Sequence, residues 1–95
     1  MATLHIVGTS PTHPNHAALA LALQDGDTLI FLQDGAYYAQ NARALAELKV
    51  ELKVKDICFL ADDLLIRGIA STLNKVDYSG FVALTASLPR SVSWF

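Results

Sequence analysis

Short apolar runs bounded by turn formers alternate along this chain with stretches whose apolar residues fall at helical spacing. Leu4-His5-Ile6-Val7 reads as a first strand, and Gly8-Thr9-Ser10-Pro11-Thr12-His13-Pro14 as a loop. A helix is expected from Pro14 to Gln24, with the proline tolerated in its first turn. From Ala17 to Leu23 that helix is apolar on nearly every side, which predicts a helix packed between layers. Thr28 to Gln33 is the clearest strand, short and almost wholly apolar, as in a parallel sheet covered on both faces. Asp34-Gly35 turns the chain into a predicted helix over Ala36–Leu48. Lys49 to Lys55 alternates polar and apolar residues like an edge extension, leading into a third strand over Asp56–Ala61. Asp62-Asp63 opens a helix to about Leu73, interrupted at Gly68, with Asp63 and Arg67 four residues apart and able to pair. A short strand from Lys75 to Tyr78 and a helix from Ser79 to Ser87 follow, and Pro89 leaves Arg90 to Phe95 as a tail. Strands alternating with helices imply an α/β domain over residues 1–95 with a mostly parallel sheet.

Composition sharpens that picture. The chain is 53% hydrophobic and only 17% charged, against about 25% charged residues in ordinary soluble domains. So small a domain has much surface to cover, so this balance points to burial against a partner or further copies. A net charge of −2 and scattered basic residues argue against a direct nucleic-acid surface. Lys49, Lys53 and Lys55 form the one basic cluster, read as a solvated strand edge. No apolar run approaches the roughly 20 residues needed to span a membrane. Met1 to His5 lacks a signal-peptide pattern, so a cytoplasmic protein is expected.

Candidate chemistry is sparse. In an open parallel sheet functional groups gather beyond the carboxyl ends of the strands. Those ends offer Ser10 and His13, then Asp34, Gly35, Tyr37 and Tyr38, then Asp62, Asp63 and Arg67. Gly8-Thr9-Ser10-Pro11 matches neither a dinucleotide fingerprint nor a P-loop, and no cofactor is expected. His5, His13 and His16 match no metal-binding spacing. Asp62 and Asp63 suit a helix start better than an acid/base pair. Ser10, His13 and Asp34 could be imagined as a triad, but a serine before proline in a turn more often shapes the loop. Tyr37, Tyr38, Trp94 and Phe95 lie outside the predicted strands, where large rings serve interfaces or core packing. The lone thiol, Cys58, sits among Ile57, Phe59 and Leu60 with no local basic group, a setting for packing rather than for nucleophilic attack.

Several stretches in order resemble the TusB/DsrH-like family of the DsrEFH superfamily. They are Leu4-His5 with Ser10-Pro11, Gly26 to Gly35, Phe59 to Asp63 with Arg67-Gly68-Ile69, Asp77 to Val82 with Leu84-Thr85, and Pro89 with Ser93-Trp94. Between Gly68 and Tyr78 the chain is shorter than that pattern, so a reduced fourth strand is expected. The resemblance implies a three-layer sandwich with a small, mostly parallel sheet of four to five strands flanked by helices. It also implies a heterohexamer with TusC-like and TusD-like subunits, passing persulfide sulfur from TusA to TusE for 2-thiolation of the tRNA wobble uridine. The relay cysteine of such a complex belongs to the TusD-like chain, which would leave this chain a non-catalytic subunit. Related DsrH chains of sulfur oxidisers can carry a cysteine near the first helix, and Ser10 to Asp34 contains none. The alternatives are a DsrH-like role in sulfur oxidation, an independent sulfurtransferase using Cys58, and a stand-alone homo-oligomeric binding protein. From the strand ends and the large rings, apart from the resemblance, the candidate interface or strand-end residues are Ser10, Asp34, Gly35, Tyr37, Tyr38, Asp62, Asp63, Arg67 and Trp94.

Overall fold

A computed structural model describes residues 2–49 and 56–95. The elements run β1 (Thr3–Val7), α1 (Asn15–Ala22), β2 (Thr28–Phe31), a 3-10 helix (Gln33–Gln40) and α2 (Ala42–Lys49), then β3 (Asp56–Leu60), α3 (Ala61–Ile66), β4 (Lys75–Val76), α4 (Tyr78–Ser87) and β5 (Arg90–Trp94). Among the described residues they build a five-stranded sheet ordered β4-β3-β2-β1-β5, with every neighbouring pair parallel.

Handedness decides the layers. From β1 to β4 the chain steps across the sheet in one direction, and right-handed crossovers place every intervening helix on the same face. The step from β4 to β5 runs the other way, so α4 must cross the opposite face. Side-chain packing agrees: Leu19, Ala44, Leu45, Leu48 and Leu64 close over Leu29, Phe31 and Phe59. On the other face Phe81, Leu84 and Leu88 pack over Leu4, Ile30 and Cys58. The three layers and the parallel sheet match the expected architecture.

Several element boundaries differ from the sequence reading. Arg90 to Trp94 is a strand, not a tail, pairing with β1 in the register Thr3↔Arg90 through Val7↔Trp94. Its serines carry little strand propensity, and the backbone ladder to β1 supplies what they lack. The helix expected over Ala36–Leu48 is two pieces, broken at Asn41, whose side chain accepts from the Ala44 N–H at 3.0 Å and starts α2. The helix expected to Leu73 stops at Ile66. Gly68, with φ +65°, and Ile69 donate to the carbonyls of Leu65 and Leu64, a Schellman close that buries Ile69 against Leu64. At the other end, α3 starts at Ala61 with no side-chain cap, and Asp62 and Asp63 occupy its first turn.

The fourth strand is reduced as expected, to Lys75 and Val76. Asp77 then caps α4, its Oδ1 accepting from the Gly80 N–H at 2.7 Å, so that helix begins at Tyr78 rather than Ser79. α1 is shorter than Pro14–Gln24 and is not sandwiched between layers. Leu19 is its one buried residue, and Leu21 is 88% exposed. The edge extension expected between Lys49 and Lys55 lies, from Val50 onward, outside the described residues.

Candidate functional site

The carboxyl ends of β1, β2 and β3 meet through short contacts made by Gln33, Gly35 and Arg67. Gly35 is buried where the 3-10 helix leaves β2, and a Cβ there would lie 2.2 Å from the Val7 carbonyl oxygen. That close approach admits only glycine. Just before it, Gln33 takes a left-handed backbone, φ +51°. Its N–H donates to Asp63 Oδ2 at 2.7 Å. Arg67 then reaches Asp63 Oδ1 at 3.5 Å and Asp34 Oδ1 at 3.2 Å. One guanidinium therefore ties the start of the 3-10 helix to α3. The Asp63–Arg67 pairing matches the i,i+4 spacing, whereas Asp34 is added by the fold. Asp62 is exposed on the same helix and stays outside the network. Gln33 is expected as the last residue of the second strand, but β2 ends at Phe31 and Gln33 starts the 3-10 helix; nothing in the local pattern marks its contact with Asp63.

The remaining strand-end residues do not assemble into a reacting group. Ser10 Oγ lies 3.0 Å from Thr12 Oγ1, and His13 Nδ1 accepts from the Asn15 N–H at 3.1 Å. Asp34 is held by Arg67, so the imagined triad is not formed. The two tyrosines separate. Tyr37 is 40% exposed, while Tyr38 is fully buried, its ring centroid 4.5 Å from that of Phe31. Tyr38 Oη lies 2.7 Å from His16 Nδ1. Burial, together with the nearby Glu47, pushes the Tyr38 phenol up to about 12 and keeps it protonated at any physiological pH. Tyr38 is thus core rather than interface. Among the described residues no three His, Cys, Asp or Glu side chains are placed to hold a metal ion.

A second polar cluster lies beneath β5, and the sequence reading missed it. Trp94 is not an exposed tail ring: it stands on β5 and donates its indole N–H to His5 Nδ1 at 3.1 Å. His5 Nε2 contacts Asp27 Oδ2 at 2.8 Å, and both residues are almost wholly buried. Asp27 also accepts from the N–H groups of Thr3 and Gln24 at 3.0 Å each. Burial opposes ionisation of Asp27. The hydrogen bonds from His5, Thr3 and Gln24 outweigh it and hold the carboxyl below its ordinary range. Because an indole can only donate, Nδ1 of His5 is the acceptor and Nε2 carries the hydrogen. Both imidazole nitrogens are occupied, so this Asp-His pair has no free nitrogen with which to act as a base. The available signal was a histidine facing the same way as Thr3 and Val7 in an otherwise apolar strand.

Cys58 lies in mid-β3 on the α4 face, 6% exposed, with Sγ 3.6 Å from the Leu29 carbonyl oxygen. Burial, and then the Asp56 carboxylate, raise its thiol to about 11, so the nucleophilic thiolate is scarce at neutral pH.

A wholly parallel sheet covered on both faces, with its polar rim tied internally and its one thiol sealed in the core, defines a small three-layer α/β protein. Residues 9–91 match the model of the DsrH-like proteins. Protein TusB of Escherichia coli K12 is 33% identical over 95 residues, covering 96% of this chain and 99% of that one. Protein TusB of Enterobacter sp. strain 638 is 35% identical over the same shares. The chain belongs to the DsrH-like family. The solution structure of protein Tm0979 from Thermotoga maritima superposes with a TM-score of 0.63 at 24% identity, over 90% of this chain and 92% of that one. At that identity the likeness speaks for the fold alone.

Proposed function

We propose that this chain is a non-catalytic subunit of a TusB–TusC–TusD type complex that relays persulfide sulfur for 2-thiouridine formation at the tRNA wobble position. The observation that carries this reading is the state of Cys58. A persulfide carrier needs an exposed thiol in an electropositive setting, and the chain's single thiol is buried and pushed up to about 11. In this reading the transferable sulfur rides on a cysteine of a TusD-like partner, and this chain supports the assembly around it.

The outer surface suits a subunit buried in a complex. Tyr78 to Ser87 contains no charged residue, yet no residue of α4 is buried in the single chain. A helix apolar on every side is ordinarily covered on every side. Tyr78 and Val82, one turn apart, are 64% and 49% exposed, an apolar stripe that supports the reading of a partner-covered surface.

Co-expression with the TusC-like and TusD-like chains of the same source tests the proposal. A co-purifying complex that retains sulfur transfer when Cys58 is replaced by alanine is the expected result. Failure to associate, or loss of transfer from an intact Cys58→Ala complex, would overturn it.

A further inference from the structure

We infer that the outer edge of β5 is a two-fold docking strand for a second copy of this chain. The inference is independent of the proposed relay role, because it concerns the chain by itself.

β5 closes one side of the sheet, and among the described residues no strand lies beyond it. The two edges are unlike. β4 is two residues long and starts at Lys75, a short and charged edge of the kind that discourages pairing. β5 is five residues long, and after Arg90 it carries no charge, proline or glycine. Its Ser91, Val92 and Ser93 are all exposed.

The backbone polarity of β5 is fixed by its bond to the body of the protein. The Trp94 carbonyl accepts from the Gly8 N–H at 2.8 Å, so Trp94 turns its backbone groups toward β1. Along a strand these groups alternate sides, so Val92 and Arg90 also face β1 while Ser91 and Ser93 present N–H and C=O outward. An antiparallel two-fold centred on Val92 sets Ser91 of one copy opposite Ser93 of the other. Each such pair exchanges two hydrogen bonds, so the two-fold yields four with no group left over. On the helix-covered face of α1 the same axis brings Val92, 42% exposed, against its own copy. It also lays Arg90 of one copy beside Trp94 of the other, a pairing of cation and ring. Hydrogen-bond pattern, apolar contact and charge are all self-complementary about one axis, which is what an isologous pair requires.

The test uses the purified full chain alone. Sedimentation velocity across a concentration series is expected to show a monomer–dimer equilibrium. Amide exchange at Ser91 and Ser93 is expected to slow by about tenfold or more between the dilute and concentrated ends. Val92→Lys sets two like charges face to face on the axis and is expected to leave only monomer, whereas Val92→Thr should still dimerise. Trp94 fluorescence reports whether each variant is folded, and the exchange measurement on the unsubstituted chain stands without any variant. A monomer at all concentrations overturns the inference. So does a dimer whose Ser91 and Ser93 amides stay unprotected, a Val92→Lys dimer as stable as the original, or protection that arises only when a different chain is added.

Discussion

Trp94 hands its indole N–H to Nδ1 of His5 across 3.1 Å, and His5 in turn faces Asp27 at 2.8 Å, so three residues from β5, β1 and the turn just before β2 form one hydrogen-bonded row. The row ties the end of the described chain to its beginning. Trp94→Phe keeps an aromatic ring on the sheet but removes the donor, leaving a buried imidazole nitrogen unpaired. A loss of about 1–3 kcal/mol is expected. Urea unfolding followed by far-ultraviolet circular dichroism measures it, and an unchanged midpoint would refute the structural role of the bond.

Asp27 adds a pH dependence whose sign follows from its hydrogen bonds. Its carboxyl is held below the ordinary value of 3.8, so the folded state favours the ionised form. The stabilisation is fully present above that value and is lost as pH falls through the lower folded-state value. Stability should therefore decline in the acid range below about pH 4. Asp27→Asn should be less stable near neutrality and show a flatter acid decline. Denaturation midpoints of both proteins between pH 7 and 2 decide this; parallel curves would count against it.

Cys58 is expected to be nearly inert in the folded protein. Two pH units separate about 11 from the ordinary 9.0, so the thiolate fraction near pH 8 falls by about a hundredfold. Burial slows access further. Labelling with a disulfide reagent should be at least that much slower than in urea, and comparable rates in both conditions would contradict the burial.

Gly35→Ala should be among the most damaging single-methyl additions to the chain. The new Cβ meets the Val7 carbonyl at 2.2 Å, backbone against backbone, and neither side yields by a rotamer change. Overpacking of this kind costs about 1–3 kcal/mol. Thermal unfolding gives the value.

Gln33→Gly should act in the opposite direction. The φ of +51° strains a residue with a Cβ, whereas the contact to Asp63 uses only the backbone N–H and survives the change. A gain of up to about 1 kcal/mol is expected. Stabilisation without altered assembly would mark Gln33 as a position where the side chain, near Gly8 and Phe95, is kept for a reason other than folding.

Much of this molecule is written in local pattern. The runs Leu4–Val7, Thr28–Gln33 and Asp56–Ala61 read as strands, and parallel strands form there over Thr3–Val7, Thr28–Phe31 and Asp56–Leu60, because segments buried on both faces are largely apolar. Spacing alone placed Asp63 and Arg67 within reach. Asp34-Gly35 and Gly68 are legible as breaks in the pattern, but Asp34-Gly35 lies inside the 3-10 helix and α3 ends at Ile66 rather than continuing past Gly68 to Leu73. Cys58 was legible as core for the same reason, since its neighbours leave no polar setting for a thiolate.

Other features depended on contacts between segments distant in the chain. Arg90 to Trp94, with two serines and a proline before it, lacks a strand's composition, and it becomes a strand only because β1 presents an open row of backbone groups. Asp34 joins Arg67 across 33 residues, and Trp94 joins His5 across 89. No periodicity records such partners, because side-chain spacing reports which face a residue shares and not what lies opposite it. The sequence by itself determined the parallel α/β plan and the core placement of its thiol. The tertiary structure alone decided that the final segment closes the sheet, since a marginal strand is fixed by the ladder it completes and by the buried histidine that receives its tryptophan.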